Sequence, residues 1–248
     1  IFYSGLFIAW FSWQALMVCT ALGAGLGAWA VYSLGKLQIP TSNIAVSTAL
    51  FKRLLHKPVL LINASYMGHM WELYTMWPWI GPFMVFVLAA QGYDVQKAAV
   101  YGNTLGGISI IIGALATWIG GKLSDVYGRT VMILVFLAGS TICSLCIGWM
   151  VYVPVSLLTV MVIVYGFLVV GDSPILTATV ADLAEPEIMG FTLGIQSVVG
   201  YGITIISPAV FGLVLDTTQS WGWAFTSLGL GAFLGVVALL FLRHTVHI

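Results

Sequence analysis

Gly121-Lys122-Leu123-Ser124-Asp125-Val126-Tyr127-Gly128-Arg129 separates two long apolar runs, and the fold is read outward from it. Three charged side chains fall within these nine residues, in a chain with only eight Lys+Arg and eight Asp+Glu. Glycine supplies the positive φ and close backbone approach that a tight reversal needs. The string therefore reads as a short polar turn joining two apolar helices.

Composition says what the helices are in. Of 248 residues, 60% are hydrophobic and 6% charged, and mean hydropathy is +1.07. A soluble domain is about 45–50% apolar and about 25% charged. So few charges could not cover a soluble surface of this size, and the chain reads as an all-α integral membrane protein. The same scarcity of charge argues against a nucleic-acid partner. Short alternating segments of the kind a membrane β-barrel needs are absent.

Hydropathy gives seven candidate spans, at about 3–34, 59–90, 98–120, 130–152, 155–181, 188–214 and 221–243. The first two exceed a bilayer core, so they tilt, kink or run past it. Trp77-Pro78-Trp79 followed by Gly81-Pro82 predicts a kink or an early end near residue 78. Residues 35–58 are polar and basic and read as a linker between two bundles. The chain begins at Ile1 and enters an apolar run with no charged n-region, which does not resemble a signal peptide. It reads as a fragment, with further N-terminal helices expected in the full chain.

Threading seven times puts Lys36, Lys52, Arg53, Lys57, Lys122, Arg129 and Arg243 on one side and Lys97 alone on the other. That is a positive-inside pattern, and it assigns 35–58, 121–130, 182–187 and the C-terminus to the cytoplasm. Gly23…Gly27, Gly102…Gly106 and Gly190…Gly194 have the spacing of close helix packing.

The GxxxDxxGR string in a cytoplasmic turn resembles the signature loop of the major facilitator superfamily. In that family the loop joins the second and third helices of each six-helix half, and here it joins the second and third helices after the basic linker. Gly171-Asp172-Ser173-Pro174, Pro186-Glu187-Ile188-Met189-Gly190 and Trp221-Gly222-Trp223-Ala224-Phe225 also resemble family stretches. Val126 and Thr130 stand where basic residues often occur, and Met189 where an Arg often precedes the glycine. The resemblance covers roughly 59–243 and implies a fragment of a twelve-helix fold. Residues 1–34 would be the last helix of the N-terminal bundle, 35–58 the cytoplasmic linker and 59–248 the C-terminal six-helix bundle. It further implies that Gly121, Asp125, Gly128 and Arg129 form a gate. Asp125 would face the positive end of the helix starting near Pro186. Arg129 would pair with Asp182 or Glu185.

Two acids lie at membrane depth. At a rise of about 1.5 Å per residue, Glu72 is about 21 Å from its cytoplasmic helix end and Asp172 about 15 Å from its own. A charge there is costly, so such groups face a water-filled cavity or a partner and are functional candidates. On the family reading they stand on the first and fourth helices of the half, which line the central cavity. His69 precedes Glu72 by three residues and shares a helix face with it. Since His titrates near neutrality, this pair could carry a proton, bind a polar substrate, or be a satisfied structural pair. Tyr66 and Tyr74 lie within two turns of Glu72 and could hydrogen-bond or stack on an organic substrate. Pro174 would free backbone carbonyls near Asp172, with Thr177 and Thr179 placed to patch them. Gln196 and Asn103 suggest interhelical hydrogen bonds.

His69-x-x-Glu72 is too short to be a metal site alone. Cys143-x-x-Cys146 lies in an apolar helix without a second pair and carries no redox reading. No P-loop and no catalytic constellation is present, so the chain is not read as an enzyme. The expectation is a secondary transporter moving a small solute by alternating access between two bundles. It would run as a symporter or antiporter on a proton or ion gradient, with no cofactor, in the plasma (inner) membrane. The acids favour cations or neutral polar molecules as substrate. The alternative is a complete seven-helix membrane enzyme or receptor-like ligand binder.

Overall fold

The computed structural model describes residues 13–34 and 56–245. The chain divides into two compact units, Ile1–Ala45 and Val46–Ile248. The first contains α1 (Trp13–Leu34). The start of the first expected span and linker residues 35–55, with Lys36, Lys52 and Arg53, lie outside the described residues.

The second unit holds α2 (Lys57–Ala90), α3 (Val95–Tyr127), α4 (Arg129–Ile147), α5 (Val155–Gly171), α6 (Ser173–Leu183), α7 (Met189–Thr218) and α8 (Trp221–Thr245). A 3-10 turn, Pro186–Ile188, leads into α7. Counting α5 and α6 as one span, six segments are long and apolar enough to cross a membrane, and no strand occurs among the described residues.

Helix ends follow their capping chemistry. Pro58 occupies the first turn of α2, where a missing N–H costs nothing. Lys57 and Pro58, expected in the linker, are thus helical. The Asp94 carboxylate accepts from the backbone N–H of Gln96 and Lys97 at the start of α3, at 3.0 and 3.2 Å. α7 closes on Gln219 with φ 51°. Arg243 and His244 occupy the last turn of α8, where a cation meets the negative helix end.

Two expectations are corrected. The early end near residue 78 does not occur: α2 continues as helix through Pro78 and Pro82 to Ala90. α3 continues to Tyr127, so most of the signature string is helical and the turn reduces to Gly128 at φ 90°.

Within the unit, α2 packs against α8, α3 and α7 and touches α5 and α6. Small residues permit this. A Cβ on Gly106 would stand 3.0 Å from the Gly81 Cα, one on Gly102 would meet the Val85 backbone at 2.6 Å, and one on Gly68 would meet the Gly235 Cα at 2.7 Å. A Cβ added to Gly190 or Gly194 would meet nothing within 4 Å, so that expected packing pair has no neighbour among the described residues of its unit.

The apolar core has two main parts. One gathers Met76, Phe83, Tyr165, Phe211 and Phe225, with Trp79 and Trp221 packed on it. The other gathers Ile62, Ile133, Phe136, Leu176 and Leu242 towards the other helix ends. In chain order, several buried polar residues of α2, α4 and the α5–α6 junction fall between the two: Ser65, His69, Glu72, Ser140 and Asp172. The bundle therefore carries a polar layer between two dry ones.

Candidate functional site

The polar layer consists of two clusters hung from α2. In the first, His69 Nδ1 stands 2.9 Å from Asp172 Oδ1, with both side chains 1% exposed. The distance is that of an ion pair, without the alignment of a hydrogen bond, and neither Asp172 carboxylate oxygen has a hydrogen-bond partner. His69 Nε2 lies 2.9 Å from Ser173 Oγ. With the ring proton on Nδ1, Nε2 accepts from the Ser173 hydroxyl; a second proton would make Ser173 the acceptor. Tyr66 stacks on the imidazole at 6.0 Å between ring centroids.

In the second cluster, Ser140 donates to Glu72 Oε2 at 2.7 Å and Tyr165 donates to Oε1 at 3.1 Å. Glu72 and Tyr165 have no exposed surface, and Ser144 is buried one turn beyond Ser140. Each carboxylate oxygen is thus held by a hydroxyl from a different helix, α4 or α5. This satisfies a buried acid that would otherwise be expensive to keep from water.

His69 and Glu72 share a side of α2, as their spacing implies, but meet different partners. Residues three apart on α2 share a side but diverge enough for His69 to reach the α5–α6 junction while Glu72 reaches α4 and α5. Both acids are sealed within the bundle and face protein rather than open space.

Asp172 interrupts the fifth span: α5 ends at Gly171 and α6 begins at Ser173. Pro174 supplies no N–H for the preceding turn. Thr177 and Thr179 bond the carbonyls of Ser173 and Ile175, at 3.3 and 2.7 Å, and so do not patch that turn as expected. The Asn103 amide bonds Ala99 O within its own helix at 2.9 Å, and Gln196 Nε2 is buried without a partner. Neither makes the interhelical bond expected of it.

Tyr74 is half-buried on α2 and meets Tyr201 of α7 edge-on at 5.7 Å. Tyr66 packs over Gly200, the neighbour of Tyr201.

At the other end, Arg129 Nη1 pairs with Asp182 Oδ2 at 2.6 Å, joining the first residue of α4 to the last turn of α6. Glu185 is exposed in the following connection. Asp125 is exposed in the last turn of α3 and makes no ion pair or hydrogen bond among the described residues. Gly121 has no neighbour within 4 Å, and Gly128 supplies the one left-handed turn residue of the string.

Sequence reasoning missed Ser140, Tyr165 and Ser173. The available signal was positional: Ser140 and Ser144 share a face of an apolar helix, and Tyr165 stands two turns before Asp172.

A family model described as Major Facilitator Superfamily matches residues 2–208. A search among curated proteins returned no match.

Proposed function

The chain belongs to the major facilitator superfamily and is a membrane transporter, and we propose that it is a proton-coupled secondary transporter working by alternating access. The observation that carries this reading is the sealed His69–Asp172 pair at a helix break. A buried ion pair repays its desolvation only while both partners are held together. A proton that neutralises Asp172 removes the attraction, and Pro174 leaves that point of the span short of a backbone bond. Proton occupancy is thereby tied to the packing of α6 against α2. Glu72 offers a second proton-accepting carboxylate one turn away along α2, with Ser140 and Tyr165 as its hydroxyl partners.

In this reading Arg129 and Asp182 close the cytoplasmic end, and separation of the pair accompanies opening. Gly121, Asp125 and Gly128 belong to the same gate, with Glu185 as a second candidate partner for Arg129. Residues 1–34 serve as the last helix of the N-terminal bundle, the segment from 35 to 56 as the cytoplasmic linker and the helices from Lys57 onward as the C-terminal bundle. The energy comes from a proton gradient rather than a cofactor, no chemical conversion is performed, and the plasma membrane is the site of action.

The test reconstitutes the full chain into vesicles loaded with a pH dye and screens small solutes for proton movement. Asp172→Asn and Glu72→Gln are expected to abolish gradient-driven uptake while leaving solute exchange. Retention of full pH dependence in both variants overturns proton coupling through these residues.

A further inference from the structure

A single file of polar groups reaches Asp172 among the described residues. Both carboxylate oxygens are buried without a hydrogen-bond partner, and Oδ1 lies 2.9 Å from His69 Nδ1. The other ring nitrogen, Nε2, lies 2.9 Å from Ser173 Oγ. Tyr66 meets the ring by stacking, with 6.0 Å between centroids. The side chains of His69 and Asp172 are sealed, whereas Ser173 is half-buried. The pair therefore joins the rest of the protein through one hydroxyl.

The break in the fifth span puts that hydroxyl in place. Ser173 is the first residue of α6 and directly follows Asp172, its N-cap. An N-cap aspartate ordinarily bonds a free N–H of its own helix. Asp172 makes no such bond, and Pro174 in the first turn has no N–H to offer. Its carboxylate turns to His69 instead. Two consecutive residues of the junction thus hold opposite sides of one imidazole.

The ring chemistry gives this arrangement a direction. A neutral imidazole carries one proton, and the partner of one nitrogen decides which nitrogen holds it. Ionised Asp172 favours the proton on Nδ1 and leaves Nε2 to accept from Ser173. A serine hydroxyl can donate and accept at once. A proton delivered to Ser173 Oγ from water releases the hydroxyl's own proton to Nε2, and the Nδ1 proton passes to Asp172 Oδ1. One proton enters. Ser173 is again a hydroxyl, His69 is neutral with its proton on Nε2, and Asp172 is a carboxylic acid. Both gaps lie within the ~2.6–3.2 Å of proton transfer, and alignment of such bonds often tightens only as the reaction proceeds. The ring does not have to turn.

The remaining titratable groups around His69 are engaged elsewhere or lie farther out. Glu72 is held by Ser140 and Tyr165, with Cys143 of α4 beside it. α7 brings Tyr201 to Tyr66 and Tyr74. α8 approaches this part of α2 through Gly231 and Gly235.

We infer that Ser173 is the proton-entry residue of the sealed pair: its hydroxyl hands a proton to His69 Nε2, and His69 hands its Nδ1 proton to Asp172. The inference deepens the proton-coupled reading and rests on it. It adds a third residue and an order of transfer that the ion pair alone does not supply.

The experiment follows the carbonyl stretch of protonated Asp172 by infrared difference spectroscopy, on the full chain in lipid nanodiscs, after a jump from alkaline to acidic pH. The band is assigned by its loss in Asp172→Asn. Threonine and valine share a shape and differ by the hydroxyl. Ser173→Thr is expected to keep the rate of band formation within about twofold, and Ser173→Val to slow it at least tenfold. Ser173→Ala, which adds no bulk, should also slow it. Nitrogen NMR of ring-labelled histidine, with His69 identified by its loss in His69→Gln, should show the proton on Nδ1 at alkaline pH and on Nε2 at acidic pH. An unslowed Ser173→Val, equal slowing by threonine and valine, or a ring that keeps its Nδ1 proton in acid overturns the relay. Absence of the Asp172 band from the parent protein overturns the proton-coupled reading itself, so the two failures are distinguishable.

Discussion

Tyr165 and Asp172 stand two helical turns apart on the same side of the fifth span, and each meets a titratable side chain of α2: Tyr165 meets Glu72, and Asp172 meets His69. Seven residues at 3.6 per turn return almost to the same direction. Since α2 and α5 run antiparallel, the contacts form two successive rungs. The rung at Asp172 falls where the helix is broken and the rung at Tyr165 where it is continuous. A change at the first can move α6 while the second holds α5 in place.

Breaking the first rung from the histidine side is expected to be severe. His69→Ala leaves the Asp172 carboxylate buried with no hydrogen-bond partner. Removing one partner of a buried pair costs about 3–5 kcal/mol. Asp172→Asn in the same background should recover part of the loss, because the uncompensated charge is gone. Denaturant unfolding in mixed micelles across the double-mutant cycle checks this; strictly additive losses would show that the two residues do not interact.

The second rung should yield less per change. Ser140→Ala and Tyr165→Phe each delete one hydroxyl donated to Glu72. A hydrogen bond to a charged group contributes about 1.5–3 kcal/mol. The double variant should differ from the sum of the two, since both act on one carboxylate. The same unfolding measurement on four proteins decides it, and a stability within error of the parent for either single variant contradicts the assigned bond.

The spans were legible because a membrane helix announces itself by length and apolarity, which need no partner to be read. The side-chain partners were not. The spacing of His69 and Glu72 speaks only of their own helix, and the residue that meets His69 comes from the α5–α6 junction. Ser140 and Tyr165 are ordinary residues in apolar helices, and only the fold brings them to Glu72. Spacing also could not tell Gly102–Gly106, which packs on α2, from Gly190–Gly194, which has no neighbour. The extension of α3 to Tyr127, which turns most of the expected loop into helix, was marked by no local signal.

That glycine contrast gives a third prediction. A Cβ on Gly166 would run into the Ser109 carbonyl of α3, whereas one on Gly194 meets nothing within 4 Å. Gly166→Ala should destabilise by about 1–3 kcal/mol through overpacking. Gly194→Ala should be neutral or gain up to about 1 kcal/mol from helix propensity. Melting temperatures of the two variants in one detergent test the pair. Equal effects would mean that the α3–α5 contact is looser than described.

The last prediction separates stability from gating at Arg129. Arg129 and Asp182 are 29% and 47% exposed. An ion pair this open to water contributes about 0–1 kcal/mol and is screened by salt. Arg129→Ala should therefore shift the unfolding midpoint little, and that small shift should vanish at high ionic strength. If the pair closes the cytoplasmic end, the same variant should still expose that end. A cysteine placed at Thr177, exposed on α6 beyond the Asp172 break, should then react several-fold faster with an impermeant reagent from the cytoplasmic side. Arg129→Lys should restore part of the protection, because a point charge still reaches Asp182 but without the planar fork of arginine. A variant with unchanged reactivity would make the pair a surface contact and remove it from the gate.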